Sequence, residues 1–233
     1  MMNGMREGST RKSSFFEIRD WPRFFTQLVH WISKQDHFSL FNGNDFSYPD
    51  GPFRTFATAG AMAGISAFSR EPFQELQSFF DIRKDWLIGR LNYDLAKYPG
   101  SPINLKQDPV RAPDMHFFVP ETLIFKGKHG VTIQSHRDPE QVMAEIRLVK
   151  FTIMDPVIRN LLSDTTQQTY LKNARQIREQ ILDGDFYELN YCMAFSSTDT
   201  RIDPGQVYLE LNRISPMPFS VFQGTGDHLI ISA

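Results

Sequence analysis

The chain has 233 residues, with 25 Lys and Arg against 27 Asp and Glu and a formal net charge of -2. That balance disfavours a nucleic-acid binder, which needs a surplus of cations to neutralise phosphates. With 41% hydrophobic and 22% charged residues, an acidic disordered chain is excluded as well, and there is ample apolar material for a core.

Along the chain, Met1 to Lys12 are polar and read as a flexible N-terminus. Trp21 to Ser33 place Phe24, Phe25, Leu28, Trp31 and Ile32 on one helical face, with Pro22 tolerated in the first turn. His37 to Phe41 predict a strand, and Asn42 to Asp45 a turn, because Asn, Gly and Asp accept positive φ. Pro49 to Pro52 read as a second turn, Phe53 to Ala59 as a strand, and Glu71 to Phe80 as a short helix. Gly60 and Gly64 frame a small-residue run that suits close backbone packing. Trp86 to Leu95 predict a strand entering a long Pro-rich connection over residues 96–114. Met115 to Phe125 and Val131 to Gln134 predict a hairpin turned by Gly127 to Gly130. Pro139 to Leu148 read as a helix and Phe151 to Met154 as a short strand.

Tyr170, Ala174, Ile177 and Ile181 predict a helix stopped by Gly184 as a left-handed cap. Tyr187, Leu189, Tyr191, Met193 and Phe195 then alternate with Glu188, Asn190, Cys192 and Ala194. Period 2 predicts one buried strand face. Asp203 and Pro204 open a helix through Asn212, and Phe219 to Gln223 pairs with His228 to Ser232 across Gly224 to Asp227. The domain division expected is a first region over residues 13–154 and a second over 166–233.

Chemistry is sparse on spacing alone. The histidines form no H-x-x-x-H and there is one cysteine, so a zinc site has no support. Cys192 cannot form an internal disulfide and reads as a packed thiol. Gly224-Thr225-Gly226 is a hairpin turn rather than a phosphate loop, and there is no G-x-S-x-G elbow. No apolar run approaches a membrane span, so a cytoplasmic protein is expected.

Three segments carry a resemblance. IREQILDGDFYELNYCMAF (Ile177 to Phe195), VYLELNRISPMPFSVF (Val207 to Phe222) and HLIISA (His228 to Ala233) resemble, in order, motifs of the chorismate-utilising enzymes. SLFNGNDF, WLIGRLNYDL and MHFFVPETLIF resemble earlier segments of that family more loosely. The resemblance implies an α/β fold, with two mostly antiparallel sheets packed face to face and helices outside. SPMPFSVF, with P-F-S at Pro218 to Ser220 where anthranilate synthases tend to carry P-Y-M, is more similar to the para-aminobenzoate branch, aminodeoxychorismate synthase component I. That branch converts chorismate and ammonia, supplied by a glutamine amidotransferase partner, to 4-amino-4-deoxychorismate for folate. The alternatives are anthranilate synthase component I, or a non-catalytic aromatic-ligand module.

In the family Mg²⁺ neutralises a chorismate carboxylate and a general acid assists loss of the ring hydroxyl. The sequence ends at Ala233, where the family's S-P-E motif is due. The Mg²⁺ ligands and acid/base groups are therefore expected beyond it, with no catalytic or metal residue in the 233 residues and no activity from them alone. What the resemblance does carry over is an effector pocket for L-tryptophan. It maps to Gly43, Phe53, Arg54, Thr55, Phe56, Pro218, Phe219 and Ser220, with Gly43 standing where the family has Ser.

Overall fold

A computed structural model describes residues 11–46, 55–67, 71–93, 95 and 110–233. They fall into two compact units, Met1–Thr152 with Pro204–Ala233, and Ile153–Asp203. Residues 204–233, grouped with the second region on sequence, thus fold with the first unit.

The first unit begins with β1 (Lys12–Glu17), α1 (Trp21–Ile32) and β2 (His37–Asn42). The helix starts where the Asp20 side chain accepts from the Arg23 amide, with proline in its first turn. It continues with β3 (Phe56–Ala67), α2 (Pro72–Arg83), β4 (Ile88–Leu91), β5 (Met115–Lys126), β6 (Gly130–Ser135) and α3 (Pro139–Leu148). The helix expected at Glu71 to Phe80 therefore runs three residues further, and the strand expected to end at Ala59 continues through the Gly60–Gly64 run. A bulge at Ala61/Ala63 lets that long strand stay paired with β5. The turns expected at Pro49 to Pro52 and most of the 96–114 connection lie outside the described residues.

The second unit holds β7 (Val157–Arg159), β8 (Leu162–Ser163), α4 (Gln167–Asp183), β9 (Phe195–Ser196) and β10 (Asp199–Arg201). The chain then returns to the first unit with α5 (Pro204–Ile214), β11 (Ser220–Thr225) and β12 (His228–Ser232).

Eight strands of the first unit form one antiparallel sheet, ordered β1-β6-β5-β3-β2-β11-β12, with β4 also on β5. β5 is long enough to pair with β3 on one edge while sharing its other edge between β4, at Met115 to Phe118, and β6, at Thr122 to Lys126. Alternate strand residues Phe38, Leu40, Ala57, Ala59, Ile124, Ile133 and Phe222 join a core with Leu28, Trp31 and Ile32 of α1, Val142, Met143 and Ile146 of α3, and Tyr208 of α5. Each large side chain removed from water there contributes roughly 1.5–3 kcal/mol, and this burial is what fixes the sheet register. The α/β class with antiparallel pairing is as expected.

Three expectations fail. Phe151 to Met154 has no regular structure, and Phe151 instead stacks on His30 with ring centroids 4.9 Å apart. The segment from Tyr187 to Ala194 is not a strand either. Tyr187 is 93% exposed and Phe195 61%, so no buried face forms. Alternation makes a strand only where a ladder and an apolar layer receive it. Within Ile153–Asp203 the strands are two or three residues long and α4 buries no side chain, so neither is supplied. Tyr191 is held locally, stacked on Tyr170 at 5.0 Å and accepting from Asn173 Nδ2 at 2.7 Å. Cys192, expected to be packed, is exposed.

Candidate functional site at the Asn42 corner

β2 ends in a tight corner. Asn44 and Asp45 take left-handed φ of 48° and 56°, which Asn and Asp tolerate better than other non-glycine residues. Asn42 organises the corner. Its Oδ1 accepts from the Asn44 amide at 3.1 Å and from Thr55 Oγ1 at 2.9 Å, while its Nδ2 donates to Asn44 Oδ1 at 2.8 Å. Thr55 Oγ1 in turn accepts from the Gly43 amide at 3.4 Å. Asn44 Nδ2 donates to the Met217 carbonyl at 2.7 Å and to Asn212 Oδ1 at 2.9 Å, and Asn212 Nδ2 returns a bond of 2.9 Å to Asn44 Oδ1.

One layer deeper, Ser220 of β11 pairs in register with Asn42 of β2. Its hydroxyl lies 3.0 Å from that of Tyr208 on α5, with both residues fully buried. Burial pushes the Tyr208 pKa up, against the smaller opposing effect of hydrogen bonds with Ser220 and Asn42. The phenol therefore stays neutral and acts as a structural hydrogen-bonding group.

The corner thus gathers three residues named from the sequence, Gly43, Thr55 and Ser220. Phe56 turns to the opposite sheet face, stacking on Phe41 at 4.8 Å and Phe125 at 5.9 Å. Pro218 is half-buried and Phe219 is 54% exposed at the entry to β11. Phe53 and Arg54 lie outside the described residues. Asn42, Asn44, Tyr208 and Asn212 were not singled out by sequence reasoning. Their signal was present, since Asn42 and Asn44 flank Gly43 in the turn, and Tyr208 and Asn212 stand in the VYLELN run.

Chemically, apart from the exposed Asp45 paired with Lys126 at its edge, the corner is neutral and its amide groups are engaged with one another. It suits rigid positioning of three chain segments and not proton transfer. Among the described residues, no three His, Cys, Asp or Glu side chains gather in a way that could hold a metal ion. These residues therefore do not fit a Mg²⁺ site. Among them too, no helix is long and apolar enough to cross a membrane.

The family model for chorismate binding enzymes matches residues 27–233. Aminodeoxychorismate synthase component 1 of Escherichia coli is 26% identical over 139 residues, covering 58% of this chain and 30% of that protein. Anthranilate synthase component 1 of Thermus thermophilus is 24% identical over 160 residues, covering 63% of this chain and 34% of that protein. Aminodeoxychorismate synthase component 1 of Bacillus subtilis is 24% identical, over 62% of this chain and 34% of that protein. The chain thus spans about a third of the length of these relatives. The menaquinone-specific isochorismate synthase of Escherichia coli aligns over 96% of this chain and 50% of its own, at 10% identity and a TM-score of 0.44.

Proposed function

The chain belongs to the chorismate binding enzyme family, and from that premise we propose that it serves an aminodeoxychorismate synthase component I. The reaction is conversion of chorismate and ammonia to 4-amino-4-deoxychorismate for para-aminobenzoate, in the cytoplasm, with a glutamine amidotransferase partner supplying the ammonia. The single observation behind the branch is Ser220. Its hydroxyl is the buried partner of the Tyr208 hydroxyl. The anthranilate-type P-Y-M pattern would put a thioether at that position, a weak acceptor that cannot donate in return. A P-F-S segment and a buried tyrosine hydroxyl at α5 fit each other. Two of the relatives described above carry the aminodeoxychorismate name.

In the same proposal, the Asn42 corner positions the segments beside an aromatic amino-acid effector. Phe219, half out in solvent, and Phe56 supply apolar surface, and Gly43, Thr55 and Ser220 hold the backbone between them.

The test is genetic. The gene that carries this coding sequence, expressed in full and not as these 233 residues alone, should restore growth without para-aminobenzoate to a bacterium lacking its own aminodeoxychorismate synthase. It should fail to relieve tryptophan dependence in a strain lacking anthranilate synthase. The reverse pattern would move the protein to the anthranilate branch.

A further inference from the structure

At the end of the sheet away from the Asn42 corner, six polar side chains from six strands meet. They are His37 (β2), Ser66 (β3), Arg90 (β4), His116 (β5), Thr225 (β11) and His228 (β12). Arg90 and His116 face each other in register. The ring of His116 stacks on that of His37 at 5.3 Å, and its Nδ1 lies 2.7 Å from Ser66 Oγ. Arg90 Nη1 donates to Thr225 Oγ1 at 2.5 Å. His228 Nε2 lies 3.2 Å from the Val110 carbonyl oxygen.

Among the described residues, three buried nitrogens in this group have no hydrogen-bond partner: Arg90 Nε, Arg90 Nη2 and His116 Nε2. His116 itself is only 7% exposed. Leaving such donors unmet is costly, more so when one is charged. Their placement is also specific. Nε–H and Nη2–H leave a guanidinium from one edge as parallel donors, the fork that matches the two oxygens of a carboxylate. Nη1, outside that fork, is the nitrogen spent on Thr225.

No carboxylate among the described residues makes an ion pair with Arg90, and burial lowers its pKa with no neighbouring charge raising it. The pKa of His116 is pushed down to about 4 by burial, then by His37, Arg90 and His228. At neutral pH His116 is therefore an uncharged ring. A serine hydroxyl can donate to Nδ1, and in that tautomer the ring's one proton sits on Nε2, aimed at the same space as the Arg90 fork. His37 and His228 are half-buried, and they form the rim toward solvent.

We propose that this cluster is a binding site for a carboxylate group of a small ligand, clamped by the Nε/Nη2 fork of Arg90 and capped by His116 Nε2–H. The site is separate from the Asn42 corner, and the inference does not depend on the reaction proposed above.

Titration calorimetry of the protein at neutral pH with malonate, and separately with inorganic phosphate, tests it. Malonate should bind, and R90L should weaken it about tenfold or more, the usual scale for losing a charge-assisted bond. R90K, which keeps the charge but not the fork, should weaken it too. In the unsubstituted protein, the Arg90 Nε–H NMR resonance should move when malonate is added, an observation that needs no variant. Absence of malonate binding, an unmoved Nε–H resonance, or R90L binding like the parent would each overturn the proposal. Phosphate binding as tightly as malonate would overturn the carboxylate assignment.

Discussion

The hydroxyl of Tyr208 on α5 and that of Ser220 on β11 lie 3.0 Å apart inside the core, tying helix to sheet one layer beneath the Asn42 corner. Replacing one partner strands the other. Ser220→Ala should cost about 1–3 kcal/mol of unfolding free energy, because the Tyr208 hydroxyl loses a partner away from water. Ser220→Met should cost more, since it also forces bulk into a site with no exposure. Tyr208→Phe with Ser220→Ala should cost less than the sum of the two single changes. Urea unfolding of the four proteins checks this, and strict additivity would mean the hydroxyls do not interact.

Arg11 binds Asp85 through both terminal nitrogens, at 2.7 and 3.0 Å, and Nη2 also donates to the Pro120 carbonyl at 2.6 Å. Both side chains are nearly buried, 8% and 10% exposed. This pair differs from an exposed one, because removing either member leaves a desolvated charge behind. Asp85→Asn or Arg11→Leu should destabilise by about 3–5 kcal/mol. Loss of the exposed pair between Arg19 and Glu17 should change stability by less than about 1 kcal/mol. Denaturant midpoints of the three variants compare the two cases.

Much of the first unit was legible because local signals and tertiary burial agree there. Pro139–Leu148 is helical as expected from its sequence. Asp138 caps it, proline opens it, and Val142, Met143 and Ile146 fall on the buried side. The β5–β6 hairpin followed from two apolar runs around a glycine-bounded turn. β1 was missed because Lys12, Ser13 and Ser14 are polar, yet an edge strand needs only alternate apolar residues such as Phe16. The run from Tyr187 to Phe195 misled for the opposite reason, since its alternation has no layer to receive it within its own unit. At the corner, Gly43, Thr55 and Ser220 were legible through family motifs. The Arg90 cluster was not, because six strands far apart in sequence supply one side chain each.

Gly89 should be nearly irreplaceable. A Cβ there would lie 2.0 Å from the His116 carbonyl oxygen and 2.6 Å from Phe117 Cα, both backbone atoms that cannot swing aside. Gly89→Ala must push β4 off β5 and disturb Arg90. Gly224 is similar, with Phe38 ring atoms 2.2 Å from the added carbon. Gly184 is the control. It caps α4 at φ 85° with nothing within 4 Å, so Gly184→Ala should cost only about 1 kcal/mol, from backbone strain. Thermal unfolding should show a far larger loss for Gly89→Ala, and equal losses would contradict the close β4–β5 approach.

The effector reading of the Asn42 corner is checked with L-tryptophan. Calorimetry should show binding to the protein that weakens on Phe219→Ala, since Phe219 is exposed and its loss leaves the core intact. Absence of heat or of a thermal shift would leave Phe56 and Phe219 as packing residues alone.

The last prediction concerns acid. The pKa of His116 falls from 6.5 to about 4 in the folded protein, chiefly through burial, then through His37, Arg90 and His228. Between these values the unfolded chain binds the proton and the folded one does not. Folding stability contributed by this group is therefore complete above pH 6.5, declines as pH falls toward 4, and changes no further below that. His116→Gln cannot titrate, so its stability should vary less between pH 4.5 and 7 than that of the parent. The approach of a carboxylate to Nε2 adds a twist, because an anion favours the imidazolium and raises the folded pKa back toward 6.5. Saturating malonate should then flatten the pH dependence of the parent and leave that of His116→Gln unaltered. Urea unfolding at several pH values, with and without malonate, measures all four curves. A parent slope that survives His116→Gln would place the responsible proton elsewhere.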